Sequence, residues 1–188
     1  MNLSKKLFVL SSPSGGGKST LARHLRELFP ILEFSISCTT RKMREGEVEA
    51  KDYYFLDKEH FIQKRENNEF AEWEEIFGNY YGTLKSEIEK ITQGGHPVLF
   101  DVDVKGALSL KNAYPDETVL IFIKPPSETE LEKRLRNRRT ETEEEISRRL
   151  ARAKQELEDI EKFDYTIVND VLENAFAEIK RIGEIYLS

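Results

Sequence analysis

The chain has a single cysteine, Cys38, so no disulfide can form within it. Its three histidines, His24, His60 and His96, are scattered and lack metal-ligand spacing. Each reads as an ordinary helix or loop residue. Long apolar runs are missing too: the longest are of strand length, well short of the ~20 residues a membrane span requires. Lys5 and Lys6 precede only Leu7–Leu10, too short a core for a secretory leader, so the expected compartment is the cytoplasm. Positive charge is in deficit, with 29 Lys and Arg against 35 Asp and Glu. The resulting net charge of −6 argues against a nucleic-acid binder held by bulk attraction. Repeats, low-complexity tracts and linker-like stretches are absent as well. At 188 residues the chain can bury one good core, and two independent domains are not expected. Nothing in the pattern specifies an oligomeric state.

What is present begins with an apolar strand, Lys6–Ser11, running into Ser12-Pro13-Ser14-Gly15-Gly16-Gly17-Lys18-Ser19-Thr20. Successive glycines let backbone N–H groups converge on anionic oxygens without Cβ collisions. The helix that follows adds its positive N-terminal end. In such a phosphate loop Lys18 reaches the outer phosphates and the Ser19 hydroxyl ligates Mg²⁺. Ser12 departs from the strict pattern, which has glycine there; serine is small enough to be tolerated if its backbone torsions are ordinary. The loop implies a nucleoside triphosphate and leaves the reaction open.

Strand and helix signals then alternate, which favours a parallel sheet flanked by helices. A helix is expected from Lys18 to about Phe29, and a short strand over Phe34–Ser37. Residues 42–51 read as a polar, mobile loop. Tyr53–Phe55 and Glu69–Phe77 read as strands around a helix capped by Asp57, with Phe61 and Ile62 on its buried face. A turn at Gly78-Asn79 leads into Tyr80–Leu84, so this middle part has hairpin character and forms a small lobe of its own. Pro97–Asp101 returns to the main sheet, followed by a helix over Lys105–Ala113 and a strand over Thr118–Ile123. Helices are expected over Glu128–Arg139 and from Thr140 or Thr142 to about Glu161. A last strand at Tyr165–Val168 precedes a helix that Asp170 would cap.

Several segments together resemble guanylate kinases, in the family's order and over nearly the whole chain. They are residues 34–47, Lys51–Phe55, Asn68–Trp73, Gly78–Thr83, Asp101–Gly106, Arg134–Glu141 and Ile167–Asp170. The resemblance implies a phosphate-loop α/β core over residues 1–33, 85–125 and 160–188. It also implies a small mixed lobe for the acceptor nucleotide over 34–84 and a helical lid over 126–159.

Arg41 and Arg44 bracket a turn, with Tyr53 and Tyr81 elsewhere in the same lobe. Two guanidinium forks and two phenolic donors suit a phosphate dianion. From these residues alone a solvated loop is the simpler account; the triphosphate loop upstream and the resemblance assign all four to the acceptor phosphate. A carboxylate such as Glu72 can accept from guanine N1–H and the 2-amino group together. Adenine offers an acceptor at N1 and would leave it mispaired. The resemblance makes Glu72 the base-reading residue, helped by Ser37, Thr83 (serine in many relatives) and Asp103. Asp101 ends an apolar strand, where open α/β sheets place ligand-facing groups. Its expected role is in the Mg²⁺ shell or in positioning Lys18 and Arg41, unless it is a plain strand-terminal cap. Among the basic cluster Arg134, Arg136, Arg138, Arg139, Arg148, Arg149 and Arg152, the resemblance selects Arg134, Arg138 and Arg149 as lid cations over the triphosphate. Arg139 stands where the family often has glycine. Asn169 resembles a residue lining the adenine pocket.

The implied reaction is transfer of the terminal phosphoryl group of ATP to GMP or dGMP, with Mg²⁺ on the donor phosphates and small-molecule nucleotides as the only partners. Two alternatives stay open at this level. One is a phosphate-loop kinase acting on another nucleotide or a phosphosugar; the other is a non-catalytic, phosphopeptide-binding module of the same fold.

Overall fold

The computed structural model describes residues 6–137 and 142–187. The chain opens with β1 (Leu7–Ser11), α1 (Lys18–Leu28), β2 (Glu33–Phe34), β3 (Cys38–Thr39), β4 (Tyr54–Phe55) and α2 (Lys58–Glu66). It continues through β5 (Phe70–Ile76), β6 (Asn79–Leu84), α3 (Lys85–Gln93), β7 (Val98–Asp101) and α4 (Val104–Ala113). Then come β8 (Thr118–Lys124), α5 (Glu128–Asn137), α6 (Glu143–Glu158), β9 (Tyr165–Val168) and α7 (Leu172–Leu187). A five-stranded parallel sheet has the order β2-β7-β1-β8-β9, and a four-stranded mixed sheet has the order β4-β3-β6-β5.

β1 lies at the centre of the parallel sheet and all five of its residues are buried. Strand alternation sends Phe8 and Leu10 to one face, against Leu21 and Leu25 of α1 and Ile179 and Ile182 of α7. Leu7 and Val9 go to the other, against Ile88 of α3 and Ala107 and Leu110 of α4. Because helices cover both faces, the strands read as unbroken apolar runs rather than as alternating ones. The register pairs Leu10 with Asp101, which sets the carboxyl end of β7 beside the loop that leaves β1. The second sheet has a much smaller core of Cys38, Phe61 and Phe70, with the Phe61 ring stacked on Phe70 and Tyr80. Burial there pushes the Cys38 thiol up to about 12, so it stays neutral.

Most expected elements are present, with some corrections. The single strand over Phe34–Ser37 is instead two short ones: Glu33–Phe34 pairs with β7, the Ser35 amide bonds the Leu99 carbonyl, and Cys38–Thr39 then joins the other sheet. The same few residues thus bridge both sheets. The hairpin turn falls on Phe77–Gly78, since Ile76 pairs with Asn79. α3 has no counterpart among the expected elements, because only two apolar residues, Ile88 and Ile91, share its buried face with Glu87. Ile62 is half-buried, and α2 buries Phe61 alone. α6 starts at a capping box, Thr142 with Glu145, and ends at Glu158 ahead of a 3₁₀ turn over Ile160–Lys162. The first bonds of α7 run to the Val171 carbonyl, one residue beyond the expected cap at Asp170.

Candidate active site

The loop after β1 is shaped by its own backbone. The Gly16 amide donates to the Pro13 carbonyl at 2.8 Å, and Gly17 turns the chain into α1 with a φ of 90°. Buried Asn169, at the end of β9, donates its side-chain amide to the Gly16 carbonyl at 2.9 Å. A Cβ on Gly17 would stand 2.1 Å from that same amide nitrogen, so glycine is required both by torsion and by space. Ser12 is buried where the strict pattern has glycine, and its hydroxyl donates to the Pro13 carbonyl at 3.1 Å. The first turn of α1 carries neither a side-chain cap nor an acidic residue, leaving the positive end of its dipole uncompensated.

Lys18 extends from that turn to Asp101. Its Nζ lies 2.5 Å from Asp101 Oδ1 and donates to the Val102 carbonyl at 2.7 Å. The Ser19 hydroxyl donates to Asp101 Oδ2 at 3.3 Å. Asp101 therefore holds both Lys18 and Ser19. Hard oxygen donors from Ser19 and Asp101, with water and nucleotide phosphates completing the shell, match the way Mg²⁺ is usually held. The two side chains fit such an ion. Among the described residues no cluster of three or more His, Cys, Asp or Glu could hold a metal by protein groups alone.

A cavity of about 430 Å³ connects this loop to the mixed sheet, where Ser37, Tyr53, Glu72 and Tyr81 line its far wall. Ser12–Gly15 and Gly17–Thr20 line the near wall. Glu72 is only 5 % exposed and faces Thr83 across the hairpin, accepting from its hydroxyl at 2.7 Å. Burial, with the Asp103 charge nearby, pushes the Glu72 carboxyl up to about 7. Gly106 makes room for it, because a Cβ there would meet Glu72 Oε2 at 2.7 Å.

The four expected acceptor-phosphate residues are not gathered equally. The Tyr53 and Tyr81 rings meet edge to face at 6.1 Å, and the Arg41 guanidinium lies 5.2 Å from the Tyr53 ring centroid. Its fork is filled by Glu47, at 2.9 and 2.7 Å. Those bonds, with one from the Arg44 amide, pull the Glu47 carboxyl down to about 2 and hold Arg41 firmly charged. The Arg44 side chain itself stands exposed on the loop.

The helical cations are also dispersed. Arg149 donates to the Ser14 hydroxyl at 2.6 Å, within the phosphate loop. Arg134 instead bonds Glu130 and the Asn169 carbonyl. Arg138 lies outside the described residues. Asp103 caps α4 through Oδ1, which accepts from the Gly106 amide at 2.8 Å, and its Oδ2 pairs with Arg152. Arg152 and its partner Glu156 line the cavity, as do Glu74 and Phe77, and sequence reasoning had given none of them a role. A usable signal was there: Arg149, Arg152 and Glu156 follow i, i+3, i+7 spacing on one stripe of α6.

The guanylate kinase family model matches residues 4–185. The chain belongs to the guanylate kinase family. It is 48% identical over 170 residues to the guanylate kinase of Chlorobium luteolum, spanning 90% of this chain and 86% of that one. With the guanylate kinase of Nitratidesulfovibrio vulgaris the identity is 50% over 175 residues, 93% and 84% of the two chains. The crystal structure of guanylate kinase from Anaplasma phagocytophilum superposes with a TM-score of 0.78 at 34% identity, covering 98% of this chain and 87% of that one. Family membership, a phosphate-loop α/β sheet and a mixed second sheet thus agree with the reading of the sequence. The match spans both sheets and the α5–α6 pair.

Proposed function

We propose that the chain transfers the terminal phosphoryl group of ATP to GMP and dGMP, giving ADP and GDP. The observation that carries this reading is a cavity with an uncapped phosphate loop on one wall and a buried, Thr83-oriented carboxylate on the other. A triphosphate seated on Ser12–Thr20 would direct its outer phosphates towards Lys18 and Arg149. Guanine seated at Glu72 would donate N1–H and its 2-amino group to the carboxylate, with Ser37 and Thr83 beside O6 and Asp103 beside the amino group. Its phosphate would then lie near Tyr53, Tyr81, Arg41 and Arg44, where it would compete with Glu47 for the Arg41 fork.

The acceptor needs no general base. A nucleotide phosphate has a second pKa of about 6, so its oxygen is already anionic at neutral pH. What opposes reaction is repulsion between two polyanions, and relieving it with positive charge is the role we propose for Lys18, Arg41, Arg134, Arg138 and Arg149. Mg²⁺ carried with ATP and held at Ser19 and Asp101 would supply further charge neutralisation. In the division of labour we propose, residues 1–33, 85–125 and 160–188 are a fixed core, 34–84 an acceptor lobe and 126–159 a lid. Closure of the acceptor lobe over the core would exclude water that otherwise hydrolyses ATP. Asn169 reaches the donor side by locking the loop through Gly16 and lies at the edge where the adenine would sit.

The partners on this reading are ATP and GMP. A phosphosugar acceptor has no base to meet the buried Glu72 carboxylate, which Thr83 alone would then bond, and a non-catalytic module has no use for the Lys18–Asp101 pair. No helix among the described residues is long and apolar enough to cross a membrane; the compartment we propose is the cytoplasm. A coupled ADP-release assay with ATP and each of GMP, dGMP, AMP and UMP tests the proposal. Turnover is expected with GMP and dGMP and poor with AMP; equal turnover of AMP would remove the role given to Glu72.

A further inference from the structure

The hairpin that carries Glu72 and Tyr81 reverses over Phe77 and Gly78, whose φ angles are 50° and 81°. Two consecutive positive φ values make a type I′ turn, whose first position suits Asn, Asp or Gly and resists a bulky ring. Burial does not offset that misfit, since Phe77 is 52% exposed. The residue thus neither suits its turn nor fills a core. Such an outlier points to a task beyond folding.

What the ring touches is the stripe of α6 that faces the cavity. The Arg149 guanidinium carbon lies 5.8 Å from its centroid and that of Arg152 lies 5.9 Å away. Arg149 continues to the Ser14 hydroxyl in the phosphate loop, and Arg152 to Asp103 and Glu156. One aromatic ring therefore meets two cations from a separate helix. Its own backbone belongs to the sheet that would hold the acceptor base.

We infer that Phe77 is a positioning residue for the transfer step, holding Arg149 and Arg152 in reach of the migrating phosphoryl group. Arginine side chains lose considerable freedom when fixed, and a ring face that attracts guanidinium lowers that loss at the moment of reaction. Because Phe77 rides on the same hairpin as Glu72 and Tyr81, the cations take up this arrangement with the acceptor sheet in place. The ring couples acceptor seating to charge neutralisation on the donor side. The inference rests on the function proposed above and deepens it.

Phe77→Leu keeps an apolar side chain without the ring, Phe77→Tyr keeps the ring, and Phe77→Asn improves the turn while removing the ring. With ATP and GMP, the Leu and Asn variants are expected to lose about 5-fold in kcat, with KM for GMP within about 2-fold of wild type. The Tyr variant should retain most of kcat. Phe77→Asn should melt at or above the wild-type temperature, because Asn tolerates positive φ. A residue serving only the turn would give the reverse, a faster or unchanged Asn variant. Wild-type kcat in Phe77→Leu, a Tyr variant as slow as Leu, or a change confined to KM would each overturn the role. If the wild-type protein fails to phosphorylate GMP at all, the proposed function falls and this role with it; active wild type with normal Phe77→Leu removes only the latter.

Discussion

The phosphate loop is one unbroken stretch, Ser12–Gly17, shaped by backbone bonds and clamped by Asn169, whereas the opposite wall of the cavity collects Ser37, Tyr53, Glu72 and Tyr81 from separate segments of a small sheet. The loop stands on β1, at the centre of a sheet buried on both faces. The other wall stands on a core of Cys38, Phe61 and Phe70 with a few half-buried neighbours. Local stability follows buried apolar contact, so the donor side should be rigid and the acceptor side should open at lower cost. The contrast also separates two ways of meeting an anion: fixed backbone dipoles on one side, long side chains already satisfied by internal carboxylates on the other. Arg41 is the clearest case, since Glu47 occupies the fork that an acceptor phosphate would need.

Removing the charge from the rigid side should have the largest effect. Lys18→Ala is expected to lower kcat by about 10³-fold, by analogy with loss of one preorganised electrostatic group. GMP affinity, measured by calorimetry, should stay close to wild type; a parallel loss of GMP binding would mean that the two walls are not separable. On the acceptor side, Glu72→Gln should reduce kcat/KM for GMP by roughly 10²-fold, because the amide presents a donor where guanine also donates. Phosphate-loop binding of ATP should not change.

Unequal cores predict unequal damage. Phe61→Ala should cost about 3–5 kcal/mol of local stability and empty the acceptor sheet of its stacked centre. Hydrogen exchange should then rise first in β3, β5 and β6, with β1 and β7 still protected. Uniform exposure of both sheets would instead mark a single cooperative unit.

Glu72 also gives the acceptor wall a pH dependence with a definite sign. Its carboxyl sits at about 7 in the fold against an ordinary value of 4.5, so the folded chain holds this proton more tightly than the unfolded one. Below the unfolded value the group is neutral in both states; as pH rises from there through about 7, the stability tied to the neutral form is lost. Relative to wild type, Glu72→Gln should therefore be more stable at pH 8 than at pH 4.5, by up to an amount on the order of 3 kcal/mol. Guanosine, which lacks a phosphate to confuse the titration, should bind more weakly below about pH 7 and release a proton as it binds. The smallest expected effect is at the capping box of α6, where Thr142→Ala should cost about 1 kcal/mol and leave kcat within a small factor.

The same contrast explains what could be read from residues alone. The phosphate loop is contiguous, and the strands of the parallel sheet are apolar throughout, so both were legible. The helix Lys85–Gln93 was missed because it buries little beyond two isoleucines, and the strand expected over Phe34–Ser37 divides because the chain changes sheets there. Contacts that depend on distant parts of the chain were not legible in detail. Asn169 clamps Gly16 across most of the sequence, and Arg152 reaches Asp103 from another helix. Asp103 resembles a base contact in the sequence; what the fold shows is that it caps α4 and holds an arginine. Phe77 carried its own signal, an aromatic residue before glycine in a turn, but its partners on α6 become visible only in three dimensions.

The central claim is that one cavity seats two anionic nucleotides end to end, with Glu72 selecting the base. A crystal structure with GMP and a non-hydrolysable ATP analogue tests it most directly. The account predicts guanine against Glu72 and Thr83, its phosphate between the Tyr53–Tyr81 pair and the Arg41–Arg44 turn with Glu47 displaced, and the triphosphate on Ser12–Thr20. Guanine bound away from Glu72, or Arg41 still closed on Glu47 with the acceptor phosphate elsewhere, would contradict it.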